Sequence, residues 1–335
     1  MSDLFVKLHS GSTQIKFESL QVGTDALVVT DSNLSSRLSS YQPIVVPAGE
    51  QSKNLQQYES ILDQLSARGA KRKTKLVAVG GGVIGDLVGF AAATYMRGIP
   101  LIQVPTTLLA MVDSSVGGKV GIDTDGGKNL VGAFHPAQVV YVDVSWLKTL
   151  PQRQWACGMA EVIKYGLIMD AELHESLSTS PMTEMDELRS SDVIRRCIEL
   201  KKKVVEADEF ETTGYRAILN FGHTIGHAIE KLTNYEQYTH GEAIAVGMYV
   251  ESIIGEKLGL STPGLAKEVA AILEAHSLPT NSLVLKDVEN IIQSMRGDKK
   301  SVRGEISMSL VTQIGEARLV HDIPESLVRE VLSAT

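Results

Sequence analysis

The sequence predicts an α/β protein with two domains: a doubly wound N-terminal domain over 1–150 and a mostly α-helical C-terminal domain over 151–335. Three observations predict it. Short β-branched runs alternate with helix-spaced apolar residues through the first half. One such run leads directly into a glycine cluster, Gly80-Gly81-Gly82-Val83-Ile84-Gly85, that precedes a helix. Beyond Leu147-Lys-Thr-Leu-Pro151, strands largely disappear. The length, 335 residues, also favours two cores over one.

Taken in order, Ala26-Leu-Val-Val-Thr30 and Pro43-Ile-Val-Val-Pro47 read as buried parallel strands closed by turn residues. Between Gln51 and Arg68, the positions Leu55, Ile61, Leu62 and Leu65 fall near helical spacing. Lys75-Leu-Val-Ala-Val79 is the next strand, a helix is expected from Leu87 to Met96, and Leu101-Ile-Gln-Val104 is a further strand. Gly80, Gly82 and Gly85 satisfy the dinucleotide fingerprint, in which glycines admit a pyrophosphate to the backbone and a helix N-terminus favours its charge. A tight strand-to-helix turn needs glycine as well, so both readings stand. The ribose-binding acid expected about 20 residues later is replaced by Val104-Pro-Thr106-Thr107. Asp31, after the first strand, is the alternative ribose contact. From Asp113 to Asn129 the chain is dense in Gly and Lys: an anion site built on Lys119 and Lys128, or a mobile solvated loop. Arg97-Gly98 offers another anion clamp.

In the second half, Gly158–Gly166 is apolar apart from Glu161 and Lys164, which share a helical face as a joint site or an ion pair. Ile198–Glu211 is a charged face with Val204-Val205 on its buried side. His223 and His227 stand one helical turn apart, and His240 precedes an apolar helix over Gly241–Leu260. Such histidines bind a divalent metal, divide metal binding and proton transfer, or simply pack. The metalloprotease signature is absent. Met308–Thr312 and Ala317–Val320 read as a short hairpin across Gln313-Ile-Gly-Glu316.

Composition narrows the function classes. Hydrophobic residues make up 43% and charged residues 21%, with a net charge of −8 and scattered basic residues, which argues against nucleic acid or an anionic membrane as the main partner. No run of about 18 uncharged apolar residues occurs. Cys157 and Cys197 are too few for a disulfide framework, which suits a reducing, cytoplasmic setting.

Together these stretches resemble the 3-dehydroquinate synthases, sugar phosphate cyclases of the shikimate pathway, from about Asp31 to Ala317. The motifs run in the family's order: Gly49-Glu50-Gln51-Ser52-Lys53, Gly80–Asp86, Gln103-Val-Pro-Thr-Thr-Leu-Leu109, Val112-Asp-Ser-Ser-Val-Gly-Gly-Lys119, Gly127-Lys-Asn129, Glu161-Val-Ile-Lys164, Asn220-Phe-Gly-His223, His240-Gly-Glu242 and Asp298-Lys-Lys300. The resemblance implies a Rossmann-like NAD-binding domain and a helical metal- and substrate-binding domain. It implies conversion of 3-deoxy-D-arabino-heptulosonate 7-phosphate to 3-dehydroquinate and phosphate. The implied steps are transient oxidation by NAD+, phosphate elimination, reduction and intramolecular aldol closure.

Carried over by position, the resemblance implies Glu161, His223 and His240 as ligands of one divalent metal, Zn2+ or Co2+. Lys164, Lys201, Glu211 and His227 would be catalytic, with His227 transferring protons. Arg97, Asp113, Lys119, Asn129, Arg216, Asn220 and one of Lys299 and Lys300 would bind substrate. NAD+ would lie on Asp31, Asn33, Gly49, Glu50, Gln51, Ser52, Lys53, Gly80, Gly81, Gly82, Val83, Ile84, Gly85, Asp86, Thr106, Thr107, Trp146, Leu147, Lys148 and Thr149, with Lys119 and Lys128 nearby. A homodimer, and a site between the domains that closes on substrate, are implied as well. Two stretches depart from the pattern: Lys119-Val-Gly-Ile-Asp123 lacks the Thr and Asn often found after the lysine, and Glu211–Arg216 is one residue longer. Other sugar phosphate cyclases and metal- and NAD-dependent polyol dehydrogenases are the rival enzymes. A nucleotide-binding protein without activity would not be expected to keep Glu161, His223 and His240 together.

Overall fold

The computed structural model describes residues 2–23, 25–183, 186–296 and 306–335. The chain divides into two compact units, Met1–Leu150 with Lys201–Glu209, and Pro151–Leu200 with Phe210–Thr335.

In the first unit, β1 (Leu4–Leu8), β2 (Gly11–Lys16), β3 (Ala26–Asp31), β4 (Ile44–Val46), β5 (Lys75–Gly80), β6 (Leu101–Pro105) and β9 (Val139–Tyr141) build a seven-stranded sheet. Its order is β1-β2-β9-β6-β5-β3-β4, and every pairing except the β1–β2 hairpin is parallel. Leu-Val-Ala-Val of β5 and all of β6 are buried, as expected for central strands covered on both faces. α1 (Leu55–Ala67) is amphipathic and is started by Asn54, whose side chain accepts from Gln57 N at 2.9 Å. α2 (Gly82–Thr94) begins inside the glycine cluster, five residues before the predicted start, and stops at Thr94. It ends there because Met96 and Arg97 take positive φ, +50° and +65°, which no helix continues.

Residues 113–129 are not a simple loop. A single π turn (Ala110–Ser114) precedes an antiparallel ribbon of β7 (Lys119–Thr124) and β8 (Gly127–Phe134). Gly121 faces Gly132, and a Cβ on either would come within 2.7 Å of the opposite backbone, so the ribbon's tight crossing requires glycine at both.

The second unit is helical: α3 (Gln152–Met169), α4 (Ala171–Thr179), the part of α5 (Glu187–Ala207) up to Leu200, α6 (His223–Leu232), α7 (His240–Lys257), α8 (Leu265–Ala275), α9 (Val288–Arg296) and α10 (Glu325–Ala334). The expected hairpin is present as β10 (Ile306–Gln313) and β11 (Glu316–Ile323). α3 is buried from Trp155 to Ile168, the pattern of a helix enclosed on all sides. Apolar residues of α6, α7, α9, β10 and α10 pack into one cluster that holds α6 against α7. No helix among the described residues is long and apolar enough to cross a membrane.

Candidate active site

In the first unit, the strand order reverses between β3 and β5: the chain passes from β3 outward to β4, then returns to β5 and builds the other way. In open α/β sheets the crevice beyond the carboxyl ends of such strands is the usual ligand position. Asp31 ends β3 and Gly80 ends β5, in adjacent register through Thr30 and Val79. Asp31 Oδ1 accepts from Asn33 N at 2.8 Å, which fixes the turn after β3. Gly80, Gly81, Gly82 and Gly85 are not left-handed, and it is close packing that restricts the first of them. A Cβ on Gly80 would stand 2.7 Å from Ile84, and one on Gly81 would stand 3.1 Å from Thr107. Thr106 N donates to Gly80 O at 3.0 Å, so Thr106 and Thr107 lie against the glycine turn. Gly81 caps α2 without a side chain, leaving the first N–H groups of the helix to face an anion.

The Gly49–Lys53 segment is pinned beside this turn. Lys53 Nζ meets Asp86 Oδ2 at 2.6 Å, Lys53 O accepts from Asp123 N at 2.7 Å, and Lys128 Nζ meets Glu50 Oε1 at 2.9 Å. Burial alone would lower the Lys53 ammonium, but the carboxylates of Asp86 and Glu50 hold it above its ordinary value, while burial pushes the Asp86 carboxyl up against the pull of Lys53. Asn129, at φ +53°, donates its N–H to Asp123 Oδ1 at 2.9 Å. Lys119 opens β7 and is exposed, as is Arg97. In Trp146–Thr149, Leu147 is a core residue and Trp146 packs against the sheet cluster, whereas Lys148 and Thr149 are exposed. Lys201 and Asp113, far apart in sequence, meet: Lys201 Nζ donates to Asp113 O and Oδ1, both at 2.6 Å.

In the second unit, of the two charged residues in the enclosed stretch of α3, Glu161 faces the histidines and Lys164 pairs with it. Glu161 is 0% exposed and Lys164 2%. Lys164 Nζ pairs with Glu161 Oε2 as a charge contact, and neither carboxylate oxygen has a well-directed hydrogen-bond donor. Glu161 Oε1 stands 3.6 Å from His223 Nε2 and 3.5 Å from His240 Nε2. Those separations are long for hydrogen bonds. Ligands of one tetrahedral ion bound at 2.0–2.2 Å lie about 3.4 Å apart, so the spacing fits a shared cation. The ligand atoms of Glu161, His223 and His240 all lie within 4.8 Å of one another.

The electrostatics agree with that geometry. Burial alone would raise the Glu161 carboxyl; the Lys164 ammonium and His240 hold it down to about 2. Burial and the charges of Lys164, His227 and His240 hold His223 well below its ordinary value. His223 Nδ1 lies 3.1 Å from Phe221 O, a carbonyl that can only accept. The neutral ring therefore carries its proton on Nδ1 and turns the Nε2 lone pair toward Glu161. His240 sits between two carboxylates, which raise it despite its burial: Glu161 at Nε2 and Glu230 at Nδ1, the latter 3.4 Å away. His227 is exposed, with its ring centroid 5.2 Å from that of His223.

Arg216 is buried, with Nε 3.6 Å from Oε1 of Glu211. Glu211 itself is exposed and left-handed at φ +58°. Asn220 ends the 3-10 turn before Gly222. Lys299 and Lys300, with Asp298, lie outside the described residues.

Comparison with known proteins identifies the family. The family described as 3-dehydroquinate synthase N-terminal matches residues 43–157, and the 3-dehydroquinate synthase C-terminal family matches residues 158–301. The chain belongs to the 3-dehydroquinate synthase family. A 3-dehydroquinate synthase from Shewanella loihica is 42% identical, over 95% of this chain and 92% of its own length. Among solved structures, 2-epi-5-epi-valiolone synthase from Streptomyces hygroscopicus subsp. jinggangensis, with NAD+ and Zn2+ bound, is 26% identical with a TM-score of 0.87, covering 96% of this chain and 95% of its own. A 2-deoxy-scyllo-inosose synthase complexed with carbaglucose-6-phosphate, NAD+ and Co2+ is 27% identical with a TM-score of 0.84, covering 99% of both chains.

Three polar residues near the histidines received no role in the sequence reading. Glu242 forms a capping box with Thr239 and takes Arg153 on both carboxylate oxygens, at 2.7 Å each, which fixes the start of α7 at His240. Glu230 and Glu251 are buried acids in otherwise apolar helix faces. A lone acid in an apolar helix is the signal that singled out Glu161, and it applied to Glu251 equally.

Proposed function

We propose that the chain is a working 3-dehydroquinate synthase that converts 3-deoxy-D-arabino-heptulosonate 7-phosphate to 3-dehydroquinate and phosphate. The meeting of the buried Glu161 with the half-buried His223 and His240 at one point, in a chain of this family, carries the reading. Glu161, His223 and His240 would hold one divalent ion, Zn2+ or Co2+; the same donor set also suits Mn2+. Asp31, Asn33, Gly49–Lys53, Gly80–Asp86, Thr106, Thr107, Lys128 and Trp146–Thr149 would hold NAD+. When bound, NAD+ supplies a hydride acceptor that later returns the hydride, and the divalent ion supplies Lewis-acid polarisation of a substrate hydroxyl.

The chain's own residues then have distinct tasks. Lys164 sets a positive charge beside Glu161, where a substrate oxygen losing its proton is stabilised. Lys201, held by Asp113, presents a second ammonium for the same purpose. His227, on the exposed side of the histidine group, carries protons to and from the reacting centre. Arg216 offers a guanidinium to the substrate carboxylate, with Glu211 and Asn220 beside it in sequence and Lys299 or Lys300 assisting. Arg97, Lys119 and Asn129 supply charge and donors for the phosphate. A cytoplasmic homodimer belongs to the same proposal.

The test is phosphate release from the heptulosonate phosphate by metal-loaded protein with substoichiometric NAD+, with NADH absorbance followed in the same cuvette. Many phosphates per NAD+, no accumulating NADH and loss of activity with chelator are expected. Turnover confined to another sugar phosphate would make it a different cyclase. NADH accumulating with polyols would make it a dehydrogenase.

A further inference from the structure

α6 begins at a position that cannot cap itself. Its N-cap is Gly222, at φ +81°, and a Cβ there would stand 2.5 Å from Met248 Cγ and 2.7 Å from Ile244 O. Glycine is therefore required, and glycine brings no side-chain acceptor for the first N–H groups of the helix. Glu251, 0% exposed and four residues past Gly247 on α7, supplies the missing acceptor. Its Oε2 accepts from Gly222 N at 2.7 Å, and its Oε1 accepts from Thr224 N at 3.1 Å and Ile225 N at 3.2 Å. His223 lies inside this bracket.

No neutral side chain of this shape offers two acceptor oxygens to these three N–H groups, and the negative charge has a further role at this helix end. His223 occupies the positive end of the α6 dipole, an unfavourable place to bind a cation. The Glu251 carboxylate offsets that end and fixes the backbone on which His223 stands. α6 answers in kind. Glu230, 4% exposed and on the same helical face as His223 and His227, places Oε2 3.4 Å from His240 Nδ1. Carboxylates on the outer nitrogen of a metal-binding imidazole set its orientation and basicity.

We propose that Glu251 and Glu230 are positioning residues, a reciprocal brace in which each histidine-bearing helix uses a buried carboxylate to aim the histidine of the other. The inference rests on the reading of Glu161, His223 and His240 as a metal site.

The test uses the full chain, stripped with chelator and titrated with Co2+, read by its visible ligand-field absorption and by melting temperature with and without metal. Glu251→Gln keeps the shape but turns an NH2 donor toward backbone donors, so Co2+ affinity should fall roughly 10–100-fold, with a shifted absorption band and a smaller metal-induced rise in melting temperature. Glu230→Gln keeps one acceptor for His240 and should lose about tenfold. It carries the test alone should Glu251→Gln fail to fold. Wild-type Co2+ affinity and spectrum in the folded variants, with only the metal-free melting temperature lowered, would make both residues ordinary structural contacts and overturn the brace. Equal Co2+ binding by wild type and His223→Ala would overturn the metal reading, and the brace with it.

Discussion

Gly247→Ala is the sharpest perturbation of the histidine pair that leaves every polar side chain in place. A Cβ at Gly247 would stand 1.9 Å from Gly222 O and 2.8 Å from Gly222 C. The neighbour is backbone, so no side chain can swing aside. Relief to even a short contact requires the α6 N-terminus to retreat by about 1 Å, whereas metal-ligand distances tolerate only about ±0.2 Å. His223 starts that helix and moves with it. Overpacking of this kind costs about 3 kcal/mol. The expected outcome is a metal-free protein that still folds but melts several degrees lower, with Zn2+ or Co2+ affinity reduced at least tenfold. Calorimetric titration of the metal, beside thermal unfolding of the stripped protein, measures both. Wild-type metal affinity with an unchanged melting temperature would refute the claim that backbone contact between α6 and α7 sets the histidine geometry.

Other substitutions probe separate parts of the molecule. Glu161→Gln leaves the Lys164 ammonium buried without its counter-charge; the metal-free protein should lose about 3–5 kcal/mol in urea unfolding and retain no metal after dialysis. Lys53→Met breaks the buried pair with Asp86 and should destabilise by a similar 3–5 kcal/mol while weakening NAD+ binding in a fluorescence titration. The double variant Lys53→Met with Asp86→Leu should regain stability but not NAD+ affinity. Asn54→Ala removes the α1 cap and should cost about 1 kcal/mol by urea unfolding, with metal affinity unchanged.

The parts legible in the sequence are those where one local pattern decides the structure. Lys75–Val79 and Leu101–Val104 are continuous apolar runs, and they form the buried central strands. The enclosed stretch of α3 announces Glu161 and Lys164 because they are its only charges, and the structure turns Glu161 toward His223 and His240 with Lys164 paired to it. Other elements gave weaker signals. β1 and β2 have few buried positions, and β9 has only three residues, so tertiary pairing rather than a continuous apolar run defines them. The β7–β8 ribbon hides behind its glycines, which suggest a loop but serve the close crossing of Gly121 and Gly132. Glu251 contacts residues 26–29 positions earlier, so its capping role exists only once α7 is packed on α6.

The Gly49–Lys53 segment has a consequence for how a ligand would be met. It has little regular structure, yet an ion pair at Lys53, another at Glu50 and the backbone bond from Asp123 already fix it. Under the NAD+ assignment proposed above, most of the conformational entropy that a flexible loop would surrender on capturing the dinucleotide is already lost during folding. Such a preformed cradle favours residence over adaptability: a cofactor that fits leaves slowly, and one with a different outline meets a surface unable to remould itself. For a dinucleotide that must be recovered unchanged after every turnover, slow release is an advantage.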